Sequence, residues 1–352
     1  MMDADVVVIG AGLSGCLVAV FLARQGRQVV ILEGREDPRS THRLGLLGRS
    51  INLALSTRAL TALHAAELDQ KVRQMAVPMY ARCVHLPSGE IQVQPYGRPD
   101  QCLWSVSRHA LNALLLHAAE GEPGVELRFR SKVDHVELER GEAFLESGEC
   151  IRSRLMVGAD GIWSRVRAAI SRHGRLDFHQ RYIDAAYKEL RIPRSAEGSG
   201  SGFRLSHPEC LHIWPRHRFM LIALPNLDGS FSCTLFMDLL GPWPSFEAVQ
   251  SEADVLRLFH ENFPDVLERM PELLTDWAIN PTTNLLTVKC RPYHYHDRAV
   301  LVGDAAHALG EQWRGRKNRV SSSRELTVKY GQFPFTGKES MPVSKTAESL
   351  RS

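Results

Sequence analysis

The stretch that decides the fold is Asp5-Val6-Val7-Val8-Ile9-Gly10-Ala11-Gly12-Leu13-Ser14-Gly15, followed 12 residues later by Gln28-Val29-Val30-Ile31-Leu32-Glu33. Residues 5–9 form a β-branched run with no polar alternation, the pattern of a strand buried on both faces. Residues 14–24 carry apolar side chains at helical spacing, and residues 28–32 return as a second buried strand. The three make a βαβ unit whose strands must be parallel and whose crossover must be right-handed. Between strand and helix, Gly10-Ala11-Gly12-Leu13-Ser14-Gly15 matches GxGxxG. Gly10 makes the tight turn, Gly12 lets backbone approach a pyrophosphate, and Gly15 permits close packing of helix on strand. The helix N-terminus then stabilises phosphate charge. Glu33 ends the second strand, where an acid accepts hydrogen bonds from a ribose diol. A glycine triplet alone is a weak signal and a plain turn is its bland reading. Strand, helix and acid in this order point to a bound dinucleotide.

Outward from this unit, residues 50–66 and 108–120 read as helices, and residues 125–129, 133–138 and the acidic stretch after Gly141 as short strands. Residues 154–157 form another buried strand ending in Gly158-Ala159-Asp160-Gly161, and residues 298–302 a further one ending in Gly303-Asp304-Ala305-Ala306-His307. Each is a strand-end acid between small residues, which singly reads as a turn with a local cap. From Tyr182 the texture changes to short alternating strands (187–192, 211–214, 219–224, 232–237) separated by Pro, Asn, Gly and Ser turns, as in an antiparallel sheet. A helix over 253–270 and a strand over 285–290 follow. The chain is thus read as α/β, with a Rossmann-like parallel-sheet domain over 1–180 that contains a substrate-contacting segment at about 75–105. A mostly antiparallel sheet and helix are inserted over 181–290, and the chain returns to the first domain over 291–309.

Composition sets the class. With 352 residues, 44% hydrophobic and 24% charged, the chain suits one large or two ordinary domains, which excludes disordered, collagenous and disulfide-stapled classes. A net charge of +3, from 43 basic and 40 acidic residues, leaves no electrostatic footprint for nucleic acid. Residues 310–352 differ: nine Lys/Arg against four Asp/Glu and seven serines, with no sustained periodicity, predict a disordered basic tail. Seven scattered cysteines without a CxxC pair read as free thiols in a reducing compartment. No metal site is expected, because His294 and His296 lack a partner pattern. There is no GxSxG elbow and no Walker lysine. Without a basic leader or a long apolar run, a cytoplasmic protein with no membrane segment is expected.

The order GxGxxG, Asp160-Gly161, Gly303-Asp304 resembles the flavoprotein group A aromatic monooxygenase family, with its p-hydroxybenzoate hydroxylase-like fold. Within it, the stretches 48–56, 213–216, 222–226 and 233–237 closely resemble the kynurenine-hydroxylating members, in register from about residue 3 to 308. The resemblance implies that Asp304 holds a ribityl or ribose hydroxyl of FAD and that Asp160 contacts both FAD and NADPH. It further implies FAD contacts at Ala54, Arg108 and, by position, Val133. Arg108 has independent support, because it starts an apolar helix where a guanidinium reaches a phosphate. Arg82 and Tyr96 match the positions that hold the kynurenine carboxylate, and a guanidinium fork with a phenol makes a sound carboxylate clamp. Leu211, Ile222, Leu224 and Phe236 fall where the apolar pocket walls lie, a role compatible with plain sheet core.

By the same resemblance the hard chemistry belongs to the flavin. NADPH reduces FAD, O2 gives a C4a-hydroperoxyflavin, and L-kynurenine becomes 3-hydroxykynurenine, a step of tryptophan breakdown that feeds quinolinate and pyridine nucleotide synthesis. A related monooxygenase with another aromatic substrate, or a non-catalytic FAD-binding fragment, is the alternative. After Ala308 the sequence departs from the family: Leu309-Gly310-Glu311-Gln312-Trp313 stands where a Pro-Phe-x-Gly-Gln-Gly-like loop and a helical C-terminal region belong. A shifted reading frame or misjoined gene model is the simplest reading of that departure and a genuine variant the runner-up, with uncoupled, peroxide-yielding NADPH use as its expected consequence.

Overall fold

The computed structural model describes residues 3–40, 51–195 and 203–308. The chain opens with β1 (Ala4–Ile9), α1 (Leu13–Arg24) and β2 (Val29–Leu32). After β3 (Asn52–Leu55), α2 (Thr57–Ala65) and α3 (Asp69–Gln74) come four short strands, β4 (Val77–Met79), β5 (Ala81–His85), β6 (Ile91–Pro95) and β7 (Leu103–Ser107). Then follow α4 (Arg108–Glu120), β8 (Val125–Arg128), β9 (Val133–Glu137), β10 (Glu142–Leu145), β11 (Cys150–Gly158) and α5 (Arg165–His173). Next are β12 (Asp177–Ile192), β13 (Cys210–Arg216), β14 (Phe219–Pro225), β15 (Phe231–Asp238), α6 (Glu252–Asn262), α7 (Pro264–Leu267) and α8 (Leu273–Ile279). The described chain closes with β16 (Thr283–Arg291), β17 (His294–Tyr295), β18 (Ala299–Leu301) and β19 (His307–Ala308).

Among the described residues the strands form three sheets. The first runs β17-β18-β11-β1-β2-β8, with β10 and β9 continuing from β11. β18, β11, β1, β2 and β8 are mutually parallel, so their carboxyl ends share one edge. β1 and β2 are buried along nearly their whole length because α1 and α4 cover one face while β9, β10 and α5 cover the other. The second sheet runs β19-β16-β12-β15-β14-β13-β5-β6 and is antiparallel except where β5 meets β13. One face packs on α6, α7 and α8 through Trp214, Phe231, Phe259 and Phe263. The other face, treated below, turns to the small third sheet, β3-β7-β4. The fold is α/β with a parallel nucleotide-binding sheet and a mostly antiparallel companion.

Two elements differ from the sequence reading. Residues 52–55 form strand β3 rather than the first turn of a helix, because Asn52 and Ala54 face one way while Leu53 and Leu55 face the other. The helix expected over 253–270 breaks at Phe263-Pro264: proline has no N–H to continue α6 and starts α7 at its first position. β11 and β12 extend further than expected, and β12 begins at Asp177. Among the described residues no helix is long and apolar enough to cross a membrane. All seven cysteines are free thiols. The expectations for residues 310–352, and the part of the 48–56 stretch before residue 51, lie outside the described residues.

Candidate active site

The three glycine motifs meet because their strands are neighbours. Gly10 takes φ +104°, and a Cβ there would enter the carbonyl of Ala159, so the first motif presses on the second. At Gly15 a Cβ would enter the Gly10 carbonyl and lie 3.1 Å from the Ala159 Cβ, which is the close helix-on-strand packing the fingerprint predicts. Gly303, at φ +61°, would bring a Cβ to 2.6 Å from the Ser14 Oγ, so the third motif lies on the start of α1. Arg167 ties the second motif to the third: its Nη1 donates to the Ala305 carbonyl at 2.8 Å and its Nη2 to the Ile162 carbonyl. A Cβ at Gly12, by contrast, meets nothing within 4 Å, and α1 has no side-chain cap. The helix start is thus uncapped by any side chain and open at Gly12, which suits the approach of a pyrophosphate.

Glu33 closes this edge. It is 7% exposed, and its Oε2 accepts from the Ala11 amide at 3.0 Å while its Oε1 accepts from Arg35 N at 3.0 Å and Arg35 Nε at 2.8 Å. Burial alone would push its carboxyl up, but the Arg35 and Ala11 bonds outweigh that and hold it below the usual range. Asp160 accepts from the Arg165 amide at 2.6 Å through Oδ2, which caps α5, while its buried Oδ1 has no hydrogen-bond partner. Burial pushes this carboxyl up against the pull of Ser164 and the α5 amides. Asp304 is exposed in the single turn Gly303–Ala305. An uncapped helix start, a vacant space at Gly12 and an orphaned carboxylate oxygen on one edge fit a dinucleotide such as FAD. Val133 does not join them through its side chain, which is buried in the core beneath the sheet.

The second half of the site is the free face of the antiparallel sheet. Leu211, Ile222, Leu224 and Phe236 form one apolar cluster with Met79, Leu103 and Met220, and Ala54, Tyr96 and Tyr187 pack against it. Ala54 reaches this cluster from β3, while Leu53 and Leu55 on the other face of that strand pack into the core of the parallel sheet. Arg82 is in register with Leu211 across β5 and β13, and its Nε donates to Gln94 Oε1 at 2.8 Å. The Tyr96 hydroxyl is buried without a hydrogen-bond partner. Burial raises its phenol well above the usual value, with the Arg82 charge opposing. Arg108 opens α4 beyond the Ser107 cap, and its own amide donates to the Ile51 carbonyl at 3.2 Å.

Sequence reasoning missed several groups here. Asn112 Nδ2 donates to the Ala11 carbonyl at 3.0 Å and braces the glycine loop. Glu189 shares the cluster side of β12 with Tyr187, and burial pushes its carboxyl up to about 7 against the charge of Arg108. Strand alternation in the predicted 187–192 strand would have placed Glu189 on the face of Tyr187. No local signal marks Asn112 or Arg167.

The FAD binding domain family matches residues 3–221. A kynurenine 3-monooxygenase of Salinispora tropica is 45% identical over 311 residues, covering 86% of this chain and 67% of its own length. This chain belongs to the kynurenine 3-monooxygenase family. A kynurenine 3-monooxygenase of Christiangramia forsetii is 40% identical over 314 residues, covering 87% of this chain and 68% of its own. The chain thus spans about two thirds of the length of these curated relatives. Among solved structures, the tetrameric form of 2-methyl-3-hydroxypyridine-5-carboxylic acid oxygenase superposes with a TM-score of 0.67 at 21% identity, covering 86% of this chain and 76% of that one. PqsL, described as a probable FAD-dependent monooxygenase from Pseudomonas aeruginosa, gives 0.62 at 19% identity, covering 86% and 79%. At these identities the two structures share the fold with this kynurenine 3-monooxygenase family chain.

Proposed function

We propose that this protein is an FAD-dependent, NADPH-consuming hydroxylase that converts L-kynurenine to 3-hydroxykynurenine. The observation that carries the reading is the Tyr96 hydroxyl, buried and unpartnered beside Arg82 at the rim of an apolar face. A buried hydroxyl left without a partner costs about 1–3 kcal/mol, so its site is built for a ligand that supplies the missing acceptor. The substrate carboxylate is that acceptor, with Arg82 supplying charge and Tyr96 an O–H. Leu211, Ile222, Leu224 and Phe236 then hold the aromatic ring and exclude water. Gly10, Gly12 and Gly15 admit the FAD pyrophosphate, Glu33 and Asp304 hold sugar and ribityl hydroxyls, and Arg108 meets a phosphate. Ala54 and the backbone of Val133 contact the cofactor, and the free Oδ1 of Asp160 faces FAD and NADPH. Bound FAD supplies hydride acceptance from NADPH and activation of O2. The first sheet serves the cofactor and the inserted sheet the substrate.

The test is a calorimetric titration of FAD-loaded protein with L-kynurenine. Loss of a hydrogen bond to a charged group costs about 1.5–3 kcal/mol, so Arg82→Ala should weaken binding roughly ten- to a hundredfold with FAD content unchanged. Equal affinity in Arg82→Ala and the parent protein would overturn the assignment.

A further inference from the structure

The small third sheet and the antiparallel sheet are joined by a closed ring of side-chain hydrogen bonds centred on Asn52. This residue is 4% exposed and lies on β3, two positions before Ala54 and on the same side of the strand. Its Nδ2 donates to Asn226 Oδ1 at 2.7 Å and to Ser105 Oγ at 2.9 Å. Asn226 Nδ2 donates to Ser232 Oγ at 3.2 Å, and Ser232 Oγ donates back to Asn52 Oδ1 at 3.1 Å. Asn226 and Ser232 stand at the turn end of the β14–β15 hairpin, next to Pro225 and Leu224.

The direction of every bond in the ring is fixed. The Pro225 carbonyl can only accept, and Ser105 Oγ gives it its one proton at 2.7 Å. Ser105 Oγ must therefore accept from Asn52, which sets the Asn52 amide with nitrogen towards β7 and oxygen towards Ser232. Asn226 is held the same way, because its other Nδ2 proton goes to Ser230 Oγ at 3.0 Å, whose own proton goes to Asp228 Oδ1. No amide in the ring can flip without leaving a buried group unpaired, so the ring has one arrangement.

From this geometry, and resting on the reading above, we infer that Asn52 is a positioning residue: its ring with Asn226 and Ser232 sets the gap between β3, the strand that carries Ala54, and the strands that carry Leu224 and Phe236. A gap set by directional bonds rather than by apolar contact holds the aromatic ring at one distance from the flavin. An error of an ångström there suffices to lose productive orientation. Asn52 touches neither ligand in this account and acts through the strand that carries Ala54.

The experiment uses the FAD-loaded 352-residue chain with Asn52→Ala, Asn226→Ala and the double variant. Three quantities are read: FAD stoichiometry, visible circular dichroism of the bound flavin, and L-kynurenine affinity. The expected result is full FAD content, an altered flavin dichroism in both single variants, and kynurenine affinity lowered roughly tenfold in each. The double variant should be no worse than the weaker single, because one ring is broken only once. Unchanged dichroism in Asn52→Ala, or effects that add in the double variant, would overturn the inference. If Asn52→Ala fails to fold, Ser232→Ala removes only the hydroxyl that closes the ring and is read by the same criteria. Should the parent protein not bind kynurenine, the proposed substrate fails, while the dichroism comparison still decides the role of Asn52.

Discussion

Gly12 and Gly15 stand three residues apart in one motif, yet different physics requires each of them. Gly12 has φ −73°, which any residue adopts, and open space where a side chain would go. Only a ligand forbids a larger residue there. Gly15 is forbidden by the protein itself, since a Cβ would enter the Gly10 carbonyl. Gly12→Val should therefore leave the melting of the ligand-free protein within about 1 kcal/mol of the parent and abolish FAD binding. Gly15→Val must push α1 off β1, which typically costs about 1–3 kcal/mol or more, and should lose both stability and FAD. Thermal melts with a flavin fluorescence titration decide the matter; normal FAD affinity in Gly12→Val would contradict the assigned cradle. The turn at Gly10 and the close packing at Gly15 were legible in the sequence because each is local. The brace at Glu33 was legible only as a strand-end acid, because its Ala11 and Arg35 partners depend on how the loop closes.

At the scale of elements, β5, β13 and α7 are joined by a polar chain that is buried at His85 and His212 and reaches the surface at Asp265. His85 Nδ1 faces Asp265 Oδ2 at 3.0 Å, His85 Nε2 faces His212 Nδ1 at 2.9 Å, and His212 Nε2 faces the His207 carbonyl at 3.2 Å. Trp214 Nε1 donates to the same Asp265 oxygen at 2.8 Å. Burial, and then the His85 charge, push the His212 imidazole down to about 3. An unfolded histidine titrates near about 6.5. Between those values the unfolded chain binds a proton that the folded chain refuses, so stability falls as pH drops from about 6.5 towards about 3. Asp265 works the same way lower down. Burial would raise its carboxyl, but the His85 and Trp214 bonds hold it low, so its contribution is present above about 3.9 and fades as pH falls through its folded value. The urea midpoint of the parent should decline from pH 7 to pH 4 more steeply than that of His212→Gln. Parallel curves would show that His212 is not the group responsible.

Element boundaries were legible where a single pattern ran for its full length, as in α1, α4 and β14. They failed where two short elements shared one apolar stretch, as at β3 with α2, or where Pro264 cut a continuous stripe into α6 and α7. The strands β4 to β7 are three to five residues each, too short for periodicity to register. They carry Arg82 and lead into Tyr96, which is why those two were reached through family resemblance and not through pattern.

For the whole molecule, the parallel edge and the antiparallel face that make up the candidate site come from sheets that the chain builds in alternation. β5 and β6 join the second sheet long before β12 begins it, and β18 returns to the first beside β11. No window of sequence contains either half of the site. The parallel edge gathers Gly10, Gly12, Glu33, Asp160 and Asp304 from residues far apart, and the antiparallel face gathers Arg82, Tyr96, Leu211, Ile222, Leu224 and Phe236 likewise. Such a layout has one function-level consequence under the proposed function: β3 packs Ala54 on the antiparallel face and Leu53 and Leu55 on the core of the parallel sheet, so a ligand on the second sheet is expected to be felt by a flavin on the first. The direct measurement is the flavin absorbance of FAD-loaded protein titrated with L-kynurenine. A saturable shift of the flavin bands, weakened roughly ten- to a hundredfold by Arg82→Ala, is the predicted result. A protein that holds FAD and shows no spectral response to kynurenine at any concentration would contradict the account.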